Sequence, residues 1–350
     1  MLLLVNLENT GDLPLTTLEA LVQIVSKNML KGAGLALLIG LSLTAAGCSQ
    51  ESSTQPSASP QSSGNTSQSP STEGKNSLTT LKIAFASRKD SQDLERKTKT
   101  VADFLSKEIG IPVEAVIGDE TAAVEALNAN RVDVAFFSSR PALKAAELTG
   151  ARLVLAEVRA DYSGGHTYKS LLLVRNDSPL KTKGTVKETL EQLKGKKIAF
   201  ASRTSGSGFI IPIGELVGQK LVDGPDRLEN YFGKVTYGDG YGSAMQAVLR
   251  GQADVGAVSE YAVKPPYITE AEAKQLRVLH AIPGVPAHGI SIDDDVPAAM
   301  QEKIVNALLK LNEPANNQML RDLYNSTKLV KVDHEQHLGG MRDALKRAKL

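Results

Sequence analysis

A hexapeptide that occurs twice constrains this 350-residue chain more than any other feature. Residues 83–88 and 198–203 both read Ile-Ala-Phe-Ala-Ser-Arg, which is typical of a buried strand that runs into a polar loop. An Asp-Val strand follows each copy at a similar offset, at Asp133 and at Asp254. Repeated strand–loop–helix units predict two similar α/β lobes, although chance repetition of small apolar residues is the alternative. We expect both aspartates to fix a turn rather than to contact a ligand.

Predicted strands and helices alternate over the rest of the globular part, which indicates an α/β fold. We predict a first lobe from residues 81–170 plus 286–350 and a second lobe from residues 171–285. The hinge is expected near Tyr168–Leu173 and Ala281–Gly289, and the C-terminal helices are expected to return to the first lobe. Because the segment 282–289 is broken by prolines, Leu276–Ala281 is expected to be the last clear strand.

The amino-terminal region has the pattern of a secretory signal. Lys31 precedes an apolar run, residues 32–43, that is too short to span a bilayer comfortably. We predict that residues 1–47 are a signal region whose true start is Met29, and a genuinely long leader is the alternative. Residues 1–28 fit a signal poorly because they carry three acidic side chains.

The only cysteine, Cys48, follows Ala-Ala-Gly at the exit of that signal. This arrangement resembles a lipoprotein signal, which implies that Cys48 is acylated and holds the mature protein at a membrane surface. A buried free thiol is the alternative. Residues 48–80 are therefore expected to comprise the lipidated cysteine and a disordered tether rich in Ser, Pro and Gln.

Composition excludes several classes of function. With 40 Lys and Arg against 39 Asp and Glu, and without basic runs, the chain is not expected to bind nucleic acid. The globular part has no cysteine for a disulfide, and the histidines lack metal-ligand spacing. The motifs HExxH, GxSxG and GxxxxGK[ST] are absent from the sequence. We expect no enzyme activity, no cofactor and no metal.

The strongest local signal for a binding site is Ser205-Gly206-Ser207-Gly208 at the start of a predicted helix. Free N–H groups and the positive end of the helix dipole favour an anion there, and glycine lets the anion approach closely. A flexible loop with ordinary N-capping is the alternative. Other predicted helix starts have the same character and carry Ser138, Ser139 and Tyr241, while Arg88 and Arg203 lie on loops that could supply a bidentate guanidinium.

Six segments, in this order and spacing, resemble the phosphate/phosphite/phosphonate-binding proteins of ABC importers. They cover nearly all of residues 81–350 and are residues 81–86, 124–137, 168–178, 193–200, 205–212 and 247–258. The resemblance implies the two-lobed periplasmic-binding-protein fold of type II, in which similar α/β lobes close on a ligand like a Venus flytrap. Fold resemblance alone does not establish a function.

The resemblance also implies site residues. A Ser-Thr-Ser-Gly-like turn holds the phosphorus oxyanion in the family, and here Ser205–Gly208 stands in its place, with Gly206 replacing the threonine. Tyr241 occupies the position of a frequent family histidine. Glu260 resembles an acidic residue that accepts from a protonated ligand oxygen, and Tyr168 matches a family aromatic. Ser138-Ser139-Arg140 stands where relatives often carry Gly-Pro and a Tyr. These departures from the family pattern leave the identity of the ligand open.

The resemblance implies a solute-binding protein that captures a phosphonate, phosphite or phosphate and delivers it to a permease driven by an ATPase. It implies a monomer in the cell envelope, periplasmic or otherwise extracytoplasmic, that is anchored to a membrane by lipid. One alternative is a binding or sensory protein for another small anion or a zwitterion. The other is an enzyme on the same fold.

Overall fold

The computed structural model describes residues 78–88 and 93–350, which belong to one compact unit, Ser69–Leu350. The predicted signal region, Cys48 and nearly all of the predicted tether lie outside the described residues. Within this described part, no helix is both long enough and apolar enough to cross a membrane.

Strands and helices alternate along the described chain, as the sequence predicted. The strands are β1 (Leu81–Ala86), β2 (Val113–Gly118), β3 (Val134–Phe137), β4 (Arg152–Arg159), β5 (Thr167–Arg175), β6 (Lys197–Phe200), β7 (Lys234–Tyr237), β8 (Val255–Ser259), β9 (Leu276–Pro286), β10 (Gly289–Ile292) and β11 (Ser326–Lys331). The α-helices are α1 (Leu94–Ile109), α2 (Glu120–Asn128), α3 (Ser139–Thr149), α4 (Val186–Glu191), α5 (Ile211–Gly218), α6 (Tyr241–Leu249), α7 (Glu270–Ala273), α8 (Ala298–Leu309), α9 (Asn317–Tyr324) and α10 (His334–Ala348).

The strands form two separate sheets. The first has the order β11-β4-β10-β3-β1-β2 and the second has the order β7-β6-β8-β5-β9. Helices pack on each sheet around its own apolar core, and we call each sheet with its helices a lobe. The predicted two-lobed α/β architecture is confirmed.

The repeated hexapeptide has the same structural setting in both lobes. β1 is parallel to β2 and β3, and β6 is parallel to β7 and β8. The Oδ2 atom of Asp133 accepts a hydrogen bond from the Lys82 N–H at 2.8 Å, and Asp254 accepts from the Lys197 N–H at 2.8 Å. Each aspartate therefore holds the start of the strand that carries one hexapeptide copy. The role expected for both, fixing the preceding turn, stays a prediction.

The chain passes between the sheets at residues 160–166 and 287–288. The hinge segment expected at Tyr168–Leu173 lies outside these crossings, whereas the segment expected at Ala281–Gly289 includes the crossing at 287–288. Those residues lie largely in strands β5, β9 and β10, and β5 forms ladder pairs with both β8 and β9, so a bend there would break backbone hydrogen bonds. Sheet membership also places residues 167–170 with the second lobe. The limits given for the two lobes stay a prediction.

The last helix, α10, contributes to the apolar cores of both lobes. Leu338, in its amino-terminal half, packs in a core of the first lobe, whereas Met341, Ala344 and Ala348 pack in the core of the second lobe. The tail was expected to return to the first lobe. Helices α8 and α9 do so, but α10 joins the two lobes.

Three strand segments were not predicted from the sequence: the end of β9, β10 and β11. β9 continues through Pro283 to Pro286, and β10 and β11 follow it. β9 lies at the edge of the second sheet, with no neighbouring strand on its open side. Proline is tolerated there because an N–H that points to the open side would not take part in a ladder hydrogen bond. β11 is also an edge strand, and only two of its six residues, Ser326 and Leu329, are buried, so its apolar pattern is too short to be distinctive.

Candidate functional site

Loops at the carboxyl ends of strands from both sheets line one cavity of about 510 Å³. The first lobe contributes the segments after β1, β2 and β3, and the second lobe contributes those after β6, β7 and β8. Of the ten predicted ligand-binding residues, seven line this cavity: Arg88, Ser138, Ser139, Tyr168, Ser205, Gly206 and Tyr241. Ser207, Arg203 and Glu260 are not among the lining residues.

The Ser-Gly segment forms a wide helical turn, Gly206–Ile210, that leads into α5. The Oγ atom of Ser205 accepts a hydrogen bond from the Gly208 N–H at 3.0 Å, which caps this turn. A Cβ at Gly208 would lie 2.5 Å from the Ala201 Cβ, so only glycine allows β6 and the turn to approach so closely. The turn therefore holds the Ser205 hydroxyl and Gly206 at the cavity wall.

Ser207 lies behind the cavity wall and is fully buried. Its Oγ atom shares a hydrogen bond of 2.8 Å with the Tyr241 hydroxyl, and its carbonyl accepts one of 2.6 Å from Ser170. The Ser207 side chain consequently fixes the position of the Tyr241 phenol, which lines the cavity. The predicted role of Ser207 as a direct ligand contact is not supported by this placement.

In the first lobe, a carboxylate occupies the start of α3. Glu120 accepts a hydrogen bond from the Ser138 N–H at 2.5 Å through Oε1 and one from the Ser138 hydroxyl at 2.8 Å through Oε2. Negative charge at a helix N-terminus is stabilising. The N–H and the hydroxyl of Ser138, which we expected to bind an anionic ligand, therefore both donate to Glu120. Glu120 itself lines the cavity.

Arg88 is fixed by a buried carboxylate in the middle of β4. Its Nη1 atom lies 3.1 Å from Oε2 of Glu157, and its guanidinium stacks 3.9 Å above the ring centroid of Tyr324. Glu157 is fully buried and also accepts hydrogen bonds from Tyr162 at 2.6 Å, His288 at 2.9 Å and Ser326 at 2.7 Å. These contacts tie the first sheet to both crossings, because Tyr162 and His288 lie in them.

The pKa of the Glu157 carboxyl is held well below its usual range. Burial alone would raise this pKa, but the charges of Arg88, His288 and Arg159 and the hydrogen bond from His288 outweigh burial. Glu157 is therefore ionised at neutral pH and balances the positive charge beside the cavity.

Five tyrosines pack edge to face and in stacks where the lobes meet: Tyr162, Tyr168, Tyr241, Tyr261 and Tyr267. All except Tyr162 line the cavity. Burial raises the pKa of Tyr162, Tyr168 and Tyr261 well above 10, so these phenols stay protonated and can donate hydrogen bonds at neutral pH. Arg159, paired with Asp161 at 3.1 Å, lies 4.9 Å from the ring centroid of Tyr261.

Two predicted site residues point elsewhere. The Arg203 guanidinium lies 4.1 Å from the ring centroid of Tyr237, on the second lobe. Glu260 accepts hydrogen bonds from the N–H of Ser163 at 2.9 Å and from its hydroxyl at 3.0 Å. Its neighbour Tyr261 lines the cavity instead, because adjacent residues of the short helical turn Glu260–Ala262 face in different directions.

The sequence interpretation did not single out Glu120, Glu157, Arg159 or His288. The sequence of β4 contains a signal for Glu157 and Arg159. These two residues lie at every second position with Leu153 and Leu155, so all four side chains share one buried face of the strand. Charged side chains at buried strand positions are rare unless they are paired, so their presence on this face points to a polar site. Over residues 78–88 and 93–350, no cluster of His, Cys, Asp and Glu could hold a metal ion.

Comparison with known proteins places this geometry in a family. The Phosphate-import protein PhnD of Mycolicibacterium smegmatis is 29% identical over 198 residues, which are 56% of this chain and 60% of that protein. The Phosphonates-binding periplasmic protein of Escherichia coli is 24% identical over 226 residues, 64% of each chain. The chain thus spans less than two thirds of the length of both relatives.

A solved structure, that of PhnD1 from Prochlorococcus marinus in complex with methylphosphonate, has the same fold. It superimposes with a TM-score of 0.60 at 17% identity and covers 77% of this chain and 98% of that one. Residues 83–337 match the family model of the ABC transporter, phosphonate, periplasmic substrate-binding protein, which describes a binding component and not an enzyme. The protein therefore belongs to the phosphonate-binding family of periplasmic substrate-binding proteins.

Proposed function

We propose that this protein captures a small phosphorus oxyanion, such as a phosphonate, phosphite or phosphate, in the cavity between its lobes and delivers it to the permease of an ABC importer. The observation that carries the proposal is that seven residues chosen from the sequence, from both lobes, line one cavity. Relatives of this chain are named for phosphate import and phosphonate binding.

The chemistry of the cavity wall suits an oxyanion that is held by hydroxyl donors together with positive charge. Ser205 and Tyr241 face the cavity from the second lobe, and Ser139 and Arg140 face it from the first. The Ser205 hydroxyl accepts from Gly208, which leaves its own proton for a ligand oxygen. Arg140, in the first turn of α3, supplies positive charge for the ligand.

Closure of the lobes would complete the site. An anion that bridges donors on two lobes binds the closed form more tightly than the open form, and this difference favours closure. The crossings 160–166 and 287–288 are the proposed hinge, with α10 as a third connection. The closed form is then the form that docks on the permease.

The family is extracytoplasmic, and we propose that this member is a monomer anchored to a membrane through acylated Cys48. The lone cysteine at the end of a signal-like segment supports the anchor. Cell fractionation tests it: the protein is expected in the membrane fraction, whereas Cys48→Ser should release it into the soluble fraction. Equal partition of both proteins would contradict the anchor.

Titration calorimetry with methylphosphonate, phosphite and phosphate tests the binding function. We expect at least one of them to bind, and phosphorus NMR should show the ligand unchanged after incubation. Ser205→Ala is expected to weaken binding about tenfold or more, since a hydrogen bond to a charged group contributes about 1.5–3 kcal/mol.

Thr269→Ala is the matched control for this variant. Thr269 caps α7 through the Glu272 N–H at 3.2 Å and does not line the cavity. Both substitutions remove a cap and should cost about 1 kcal/mol of stability, but only Ser205→Ala should reduce affinity. Binding of none of the three ligands, or a new phosphorus product, would overturn the proposed function.

A further inference from the structure

One carboxylate in the cavity wall is placed where an anion would otherwise bind. Glu120 takes both the backbone and the side-chain donor of Ser138, at 2.5 and 2.8 Å, at the start of α3. A dianionic ligand that approached this half of the cavity would meet a fixed negative charge, and the donors of Ser138 would already be engaged. The first lobe therefore opposes full negative charge on the ligand at this point.

The same carboxylate can accept from a ligand. Each carboxylate oxygen has about two lone-pair sites, and Ser138 uses one site on each oxygen. Because Glu120 lines the cavity, a ligand group that brings its own proton can bind a remaining site. A singly protonated phosphonate or phosphite has such a group in its P–O–H, whereas the fully ionised form has none.

We propose that Glu120 is a specificity-determining residue that selects the singly protonated form of the ligand by accepting a hydrogen bond from its P–O–H group. This inference rests on the proposed function and adds the protonation state of the substrate to it. The selection works by attraction of the monoanion and repulsion of the dianion at one position.

Other groups around the cavity also titrate or carry charge. They are Arg88, Asp119, Arg140, Arg159, Asp239 and His288, together with the tyrosines that line the cavity. Any of them can add pH dependence to binding, so the test compares Glu120→Gln, which leaves all of these groups in place, with a variant that removes one of them.

The test measures the affinity for methylphosphonate by calorimetry at several pH values around the second ionisation of that ligand. The wild-type affinity is expected to fall about tenfold for each pH unit above this ionisation, because one proton is required for binding. In Glu120→Gln the repulsion is removed and the amide N–H can donate to the dianion. This variant should lose the pH dependence and bind more tightly than the wild type at the alkaline end.

Asp119→Asn is the matched control. Asp119 is the neighbour of Glu120 and lines the same cavity, but its Oδ1 atom caps α2 by accepting from the Ala122 N–H at 2.8 Å. Asparagine also caps helices well, so this variant removes one negative charge without disturbing Ser138. It should keep the pH dependence of the wild type.

Three results would overturn the inference. The wild-type affinity could rise with pH, or Glu120→Gln could keep the pH dependence of the wild type. The third is that Asp119→Asn loses this pH dependence to the same extent as Glu120→Gln. Failure of the wild type to bind methylphosphonate, phosphite or phosphate at any pH is a different result. It would overturn the proposed function and this inference with it.

Discussion

Replacement of Glu157 by glutamine is expected to destabilise the protein by about 3 kcal/mol. The carboxylate is fully buried and accepts hydrogen bonds from Arg88, Tyr162, His288 and Ser326. Glutamine keeps the shape but removes the charge that balances Arg88, and its NH₂ group leaves at least one donor without an acceptor. Removal of one partner from a buried ion pair costs about 3–5 kcal/mol, and the Arg88 side chain, which is 10% exposed, favours the lower end.

The pH dependence of this effect follows from the lowered pKa of Glu157. A carboxyl whose folded pKa lies below its usual value of 4.5 stabilises the fold above pH 4.5. This contribution is lost as the pH falls below 4.5 toward the folded pKa. The difference in the free energy of unfolding between wild type and Glu157→Gln should therefore be largest near neutral pH and should become smaller in acid.

Urea unfolding at a series of pH values measures this difference directly. Glu335→Gln is the control, because Glu335 pairs with Arg152 and Arg342 while its side chain is 55% exposed. Exposed pairs contribute little, so Glu335→Gln should change the free energy of unfolding by less than about 1 kcal/mol. If Glu157→Gln cost no more than this control, or cost the same at every pH, the role assigned to the buried carboxylate would be refuted.

Two further predictions concern stability and ionisation. A Cβ at Gly340 would lie 2.8 Å from the Gly284 carbonyl oxygen, so Gly340→Ala should destabilise by about 1–3 kcal/mol in thermal unfolding. Nothing lies within 4 Å of such a Cβ at Gly339 in the same helix, so Gly339→Ala should stabilise the protein by about 0.5–1 kcal/mol. If Gly340→Ala were the more stable of the two variants, the close approach of α10 to β9 would be contradicted. The chain has eight tyrosines and no tryptophan, so alkaline difference absorbance reports phenols alone. Tyr162, Tyr168 and Tyr261 should not ionise before the protein unfolds, and ionisation of all eight in the folded state would contradict their burial.

The sequence was sufficient to predict the fold because the repeated strands are recognisable from short segments of sequence. The hexapeptide copies and the Asp-Val strands set the centre of each sheet, and parallel strands bring their carboxyl ends to one edge. The positions of Ser205, Tyr241 and Arg88 at the cavity follow from this arrangement. The edge strand β11 and the part of β9 beyond Ala281 were not predicted, since pairing on one side leaves room for proline and polar residues.

The direction of individual side chains could not be predicted from spacing. Glu260 and Tyr261 are neighbours, yet only Tyr261 lines the cavity. The pairs Glu120–Ser138 and Glu260–Ser163 join residues that are 18 and 97 positions apart, and nothing local in the sequence specifies them. Such partners depend on how the loops from several strands meet, which is a property of the tertiary fold.

A crystal structure of the protein with methylphosphonate would test the central claim most directly. We expect phosphorus density inside the cavity, with the ligand oxygens in contact with Ser205 on the second lobe and with at least one residue of α3 on the first. Density on an outer surface, or contacts to one lobe alone in a closed molecule, would contradict it.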